Sequence, residues 1–176
     1  GGVERGVVDL AKSLIRRGHR VSVVSSGGAL VESLRQLGAN HDTLPIHRKS
    51  PCTVWQQIQT LCQVIREAKV DVIHARSRVP AWIGYVAARR TGVPFVTTCH
   101  GFYTPHLASR VMAWGRLVIV PSKALGRYLM DQFHVPPERL RVIPRGVDLS
   151  QFPFRESPVP GAGPWRIGVV GRKKQT

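Results

Sequence analysis

Apolar side chains recur at helical spacing from the start of the chain: Val3, Val7, Leu10, Ala11, Leu14 and Ile15 form one stripe, with Arg5, Asp9, Lys12 and Arg16 on the other face. Gly18 ends this helix, and the β-branched run 20–25 follows as a strand. Ser26, Gly27 and Gly28 supply a turn into a second helix marked by Leu30, Leu34 and Leu37 and closed by Gly38. The same grammar then repeats. A strand is expected near 41–46, followed by a helix with Val54, Ile58, Leu61, Cys62 and Ile65 inward, and a strand at 71–75. Pro80 and Gly92 bracket the next helix. A strand at 94–99, a helix at 106–114, a strand at 117–120, a helix capped by Ser122 and a strand at 140–143 complete the series.

Strands alternating with helices across short turns predict an α/β fold, a Rossmann-like doubly wound parallel sheet covered on both faces, with ligands at the carboxyl ends of the strands. The series opens on a helix, so the strand that should feed the first βαβ unit is expected to lie outside these residues, and its neighbours should present unpaired edges. Pro153, Pro158, Pro160, Gly161, Gly163 and Pro164 read as a linker, and 166–170 as the first strand of a further domain. The expected organisation is therefore a domain over 1–152, a linker over 153–165 and the start of a second domain over 166–176, a piece truncated at both ends.

Composition narrows the class of partner. The 176 residues hold 26 Lys plus Arg against 10 Asp plus Glu, a formal charge of +16, while 43% hydrophobic residues are enough for a packed core. Such a surplus favours anionic partners, whether nucleic acid, acidic lipid or a phosphorylated small molecule. Three cysteines, Cys52, Cys62 and Cys99, show neither a disulfide framework nor zinc-ligand spacing, and a reducing cytosol is the simplest home. No apolar run reaches the length of a membrane span.

Several residues are candidates for chemistry. Gly1 and Gly2, before the first helix, form either a tight turn or a place where backbone N–H groups approach a phosphate. His100 follows the 94–99 strand, on the rim where this fold places its crevice; it is either a loop histidine bonded to backbone or a site residue. Arg76 and Arg78 end another strand on that rim, as solvated loop arginines or as contacts to an anionic group. His74 lies inside its strand and reads as a core residue, and Ser122 reads as a helix cap rather than a nucleophile. The few acidic residues offer no catalytic pair.

Taken in order, Gly1-Gly2-Val3-Glu4-Arg5, Arg17-Gly18-His19-Arg20-Val21, Asp71 to Arg76, Thr98-Cys99-His100-Gly101-Phe102 and Val142 to Asp148, followed by Phe152 and Ile167 to Arg172, resemble the N-terminal half of the retaining glycosyltransferases of family 4. The resemblance implies a GT-B architecture of two Rossmann-like domains, the first receiving the acceptor and the second a nucleotide-sugar donor. It implies that Gly1 and Gly2 approach the donor, that His100 reaches the sugar and helps stabilise developing charge, and that Arg172 binds donor phosphates. Arg76 and Arg78 would then face the acceptor. Transfer with retention, no metal and no cofactor are implied, with the nucleotide sugar as substrate and these residues alone inactive. Lys173 to Thr176 departs from the family's usual continuation, so neither Lys173 nor Lys174 receives a role.

Family members that act on lipid-linked acceptors work at the inner face of the cytoplasmic membrane, in lipopolysaccharide and other cell-envelope glycan synthesis. Arg48 and Lys49 before Trp55, and Arg110 and Arg116 near Met112 and Trp114, would suit a peripheral contact with anionic lipid. Trp55 reads equally as an interfacial or a core residue. Two rivals stand beside this reading: a non-catalytic sugar-nucleotide-binding scaffold on the same fold, and a basic nucleic-acid-binding module, for which no recognition motif is present.

Overall fold

The structure is a computed structural model that describes residues 2–45 and 50–146, together with Leu149, Phe154 and Gly168. The chain divides into two compact units, Gly1–Arg145 and Gly146–Thr176. All elements described below belong to the first; the expected linker and the strand at 166–170 lie outside the described residues.

Helices and strands alternate as α1 (Gly2–Arg16), β1 (Ser22–Ser25), α2 (Val31–Gln36), β2 (Asn40–Thr43), α3 (Pro51–Glu67), β3 (Ile73–Ala75), α4 (Arg78–Thr91), β4 (Phe95–Thr98), α5 (Leu107–Arg110), β5 (Leu117–Val120), α6 (Lys123–Phe133) and β6 (Leu140–Val142). All pairings are parallel. β1 pairs with β2, and β3, β4, β5 and β6 pair in that order, with no ladder joining β1 to β3 among the described residues. The Rossmann-like sheet is thus interrupted between β1 and β3 among the described residues.

Both faces of β1 are covered, as double winding requires. Val23 packs with the cluster of α1 and α2 around Val8, Ala11 and Leu34, while its neighbour Val24 packs on the opposite face with Ile58, Cys62, Ile65, Ile83 and Ala87 of α3 and α4. Ile73 of β3 touches that second cluster too, so α3 and α4 tie the two ladders together across the interruption. The largest cluster surrounds β4 and β5, where Val118, Val120, Leu125, Leu129, Val111 and Met112 are fully enclosed.

Local boundaries follow from chain chemistry. Gly18, Gly38 and Gly92 take φ of 83°, 86° and 74° where helices end, and Arg16, Arg35, Arg89 and Arg90 occupy the last turns before them. Ser122 caps α6 by accepting the Leu125 N–H at 3.2 Å. The helix expected at 106–114 is broken: α5 is one turn long and passes into a 3₁₀ turn at Val111–Ala113. Competing packing explains the break. Trp114 is held edge-on by Trp82 with centroids 4.9 Å apart, and by Tyr85 at the same distance, while Thr97 Oγ1 donates to the Met112 carbonyl at 2.6 Å.

Gly115 lies against the backbone of β4 and β5. A Cβ there would stand 2.5 Å from the Leu117 carbonyl oxygen and 3.0 Å from Thr97 N. Gly115→Ala is therefore expected to destabilise the domain by about 2–3 kcal/mol through forced backbone movement, against about 1 kcal/mol for Gly92→Ala, which meets only open space and a left-handed φ. Chemical denaturation of both variants checks the order; equal losses would contradict the packing at Gly115.

Candidate active site

Because all strands run one way, the segments leaving β3, β4 and β6 emerge on the same rim. Arg76 follows β3, His100 follows β4, and Arg145 follows β6 after Ile143 extends the ladder by donating to the Val120 carbonyl at 2.9 Å. The three meet in space. An Arg145 Nη2 lies 3.2 Å from His100 Nδ1. Both Arg76 and Arg145 act electrostatically on His100, and Arg145 also acts on Arg76.

Helix α1 closes one side of this cluster through its glycines. A Cβ on Gly2 would stand 3.1 Å from Arg145 Nη1, and one on Gly6 would stand 3.0 Å from Arg76 Nη2. Gly2 and Gly6 therefore admit the two guanidinium groups beside the first turns of a 15-residue helix, whose amino end already carries positive partial charge. Glu4 lies in that first turn and is itself engaged in an interaction.

The segment after His100 is pinned from below. Tyr128 of α6 donates its hydroxyl to the Tyr103 carbonyl at 2.7 Å, Phe102 packs edge-on against the Tyr128 ring, and the Arg78 guanidinium lies 5.3 Å from the Tyr103 ring centroid. Arg78 is thus a loop-holding residue at the start of α4, next to the cluster but directed onto an aromatic face.

The electrostatics follow from burial and like charge. Burial, then Arg76, then Arg145 lower the His100 pKa to about 4. His74, bonded through Nε2 to Thr98 Oγ1 at 2.7 Å, is lowered to about 4 by burial first, then by Arg76 and His100. Burial also lowers the Arg76 pKa, with Arg145 adding to it, and pushes the Cys99 thiol up to about 12, so that thiol stays protonated. Two buried nitrogens in the cluster, Arg76 Nε and His100 Nε2, have no hydrogen-bond partner. Such a place, rich in donors and cationic, suits an anionic or oxygen-rich ligand.

Of the residues the sequence singles out, Arg76 and His100 are brought together and Gly2 joins them through Arg145. Gly1, Arg172, Arg48 and Lys49 lie outside the described residues. Arg110 and Arg116 are exposed but remote from each other's rim: the Arg116 N–H donates to the Phe95 carbonyl at the opposite end of β4. Of their expected apolar companions, Met112 is fully buried and Trp114 is partly buried among aromatics. Trp55 is 53% exposed, with the Arg90 guanidinium 4.2 Å from its ring centroid. Arg145 is the residue that the sequence reading passed over, although it stands just beyond a strand's carboxyl end like the other two. Among the described residues no three His, Cys, Asp or Glu stand close enough to hold a metal ion.

Residues 1–151 match the family described as Glycosyltransferase Family 4. The UDP-Gal:alpha-D-GlcNAc-diphosphoundecaprenol alpha-1,3-galactosyltransferase of Escherichia coli is 28% identical over 130 residues, covering 66% of this chain and 33% of that protein. The D-inositol 3-phosphate glycosyltransferase of Thermobispora bispora is 31% identical over 101 residues, 48% of this chain and 24% of that protein. Among solved structures, a glycosyltransferase from Rickettsia africae superposes with a TM-score of 0.78 at 32% identity, over 87% of this chain and 42% of that one. Anabaena Alr3699/HepE in complex with UDP and glucose gives a TM-score of 0.66 at 22% identity, over 85% of this chain and 42% of that one, a likeness of fold. The chain thus spans less than half the length of each of these relatives.

The two buried histidines make stability depend on pH. Between the ordinary histidine value of 6.5 and about 4, the unfolded chain binds protons that the folded chain refuses. Stability is full above that window, falls as pH drops through it and levels off below it. His74 accounts for on the order of 2–3 kcal/mol of the loss, and the half-buried His100 for less. Urea unfolding across this range, with His74→Asn expected to flatten the dependence by more than half, measures it; a wild-type stability independent of pH there would show that the histidines are not held neutral.

Proposed function

The chain belongs to glycosyltransferase family 4, and from that premise we propose that it forms the acceptor side of a retaining enzyme that moves a sugar from a nucleotide-sugar donor to a phosphate-bearing, lipid-linked or saccharide acceptor. The observation that carries this reading is the convergence of Arg76, Arg145 and His100 beside the amino end of α1. Both transferase relatives have names that place a phosphate or diphosphate on the molecule they act on, diphosphoundecaprenol in one and inositol 3-phosphate in the other. A guanidinium pair in which the buried Arg76 Nε lacks a hydrogen-bond partner among the described residues is suited to those oxygens.

In the reaction, Arg76 and Arg145 hold acceptor phosphate and orient the attacking hydroxyl. His100 reaches the sugar undergoing transfer. As the bond from the acceptor oxygen to the sugar forms and the sugar–phosphate bond breaks, the hydroxyl proton passes to the departing diphosphate, and the amino end of α1 stabilises the negative charge left there without reorganisation. Because these groups supply positive charge, the transfer runs without a metal ion or cofactor, and chelation leaves its rate unchanged. Arg76→Ala is expected to weaken binding of a polyprenyl-diphosphate sugar by about tenfold to a hundredfold, the loss of one or more charge-assisted bonds. Calorimetric titration reads the affinity, and product NMR reads the anomeric configuration. Unchanged affinity, or an inverted anomer, would overturn the acceptor role or the retaining assignment respectively.

We further propose that a lipid-linked acceptor brings the protein to the inner face of the cytoplasmic membrane, in assembly of lipopolysaccharide or another envelope glycan. Support comes from Leu107, 70% exposed in the same helical turn as the exposed Arg110, which combines apolar surface with a cation. No helix among the described residues is long and apolar enough to cross a membrane, so contact would be peripheral. Arg110→Glu should lower co-sedimentation with anionic vesicles by about tenfold or more, at about 1 kcal/mol for each of the two charge units changed. Equal binding to neutral and anionic vesicles would remove the membrane assignment.

A further inference from the structure

A guanidinium has donors and no acceptor, so the 3.2 Å approach of Arg145 Nη2 to His100 Nδ1 is a hydrogen bond only if Nδ1 carries a lone pair. A neutral imidazole has one N–H, which must then sit on Nε2. That nitrogen is buried and has no partner among the described residues. The neighbouring Arg76 Nε, always an N–H, is likewise buried and unpartnered. Two unmet donors in one cationic cluster call for oxygen lone pairs from outside the chain.

We infer that Arg145 is a positioning residue: by donating to Nδ1 it fixes His100 as the Nε2–H tautomer, so that His100 meets the substrate as a hydrogen-bond donor and not as a proton acceptor. This rests on the reading of the rim as the sugar-transfer site. The oxygen it serves belongs to the transferring sugar or to a phosphate, both of which offer lone pairs and neither of which needs its proton taken by His100.

The groups facing His100 agree with this. From β3 come Arg76 and His74; from beyond β6 comes Arg145; on its own segment lie the neutral Cys99 thiol and Tyr103, whose side chain is hydrogen-bonded by the His100 backbone. Burial and the two arginines keep the ring neutral down to about pH 4. Helix α1 carries Glu4 in its first turn, and that residue is engaged in an interaction of its own. Without Arg145 the ring would lose the donor that selects its tautomer and one of the cations that keeps it neutral.

Nitrogen NMR of ¹⁵N-histidine-labelled protein tests the inference directly, since the two ring nitrogens report protonated and lone-pair states separately. The expected result at neutral pH is Nε2–H with a bare Nδ1 for His100, a mixed tautomer and a raised midpoint in Arg145→Ala, and recovery of the Nε2–H form in Arg145→Lys, which keeps a donor and a charge. Arg145 is exposed, so these variants should keep the wild-type melting temperature. A wild-type Nδ1–H or charged ring, or a tautomer indifferent to Arg145→Ala, would overturn it. The readout does not involve sugar transfer: a correct tautomer with no acceptor affinity would leave this inference standing and remove the proposed function instead.

Discussion

Parallel pairing is the constraint from which the rest of this molecule follows. A parallel connection has to return the chain to the end of the sheet where the previous strand began, so helices separate the strands and cover the faces. What remains open to solvent is chiefly the two ends of the strands, and all carboxyl ends lie together. Residues far apart in the chain, Arg76, His100 and Arg145, therefore arrive at one place without any local signal drawing them there. The interruption between β1 and β3 does not disturb this. Arg76, His100 and Arg145 all follow strands of the four-stranded ladder, and α1 reaches them through Gly2 and Gly6.

Gathering positive charge at one rim has a cost, and the structure shows how it is divided. An arginine stays charged, so Arg76 and Arg145 hold their cations despite mutual repulsion and, for Arg76, partial burial. Histidine is the group that can yield, and both His74 and His100 do so by remaining neutral. Fixed charge and adjustable protonation are thus assigned to different side chains. Strain of this kind, tolerated at one site and compensated by a well-packed core elsewhere, is expected where a fold serves a ligand.

The order of elements was legible because hydrophobic period and glycine punctuation are local. Val3 to Ile15 reads as one helix face, and Gly18, Gly38 and Gly92 end helices with the positive φ their positions demand. The helix expected at 106–114 was misread because its end is set from a distance, by Trp82, Tyr85 and Thr97 competing for the backbone and rings of 112–114. The same packing encloses Met112 and partly buries Trp114, which composition alone could not show. Of the site, His100 and Arg76 were visible from position at strand ends. Arg145 follows the same rule and lies within the Val142 to Asp148 motif, but only the fold brings its guanidinium against His100.

That abundance of cations is better understood as several populations than as one property. Arg16, Arg35, Arg89 and Arg90 end helices, where the carboxyl-end dipole stabilises them, and Arg90 also lies over the Trp55 ring. Arg78 is used against Tyr103, and Arg139 donates to the Ala113 carbonyl at 2.6 Å. Each of these has a partner supplied by the fold and needs none from outside. Arg76 and Arg145 differ: the buried Arg76 Nε has no partner among the described residues, and Arg145 meets one ring nitrogen of His100 beside a helix amino end and a second cation. A surplus of +16 would by itself suggest a polyanion spread across the surface. The distribution instead favours a compact anion held at one rim, with neutral His100 able to give a hydrogen bond where a third permanent charge would only deepen the repulsion.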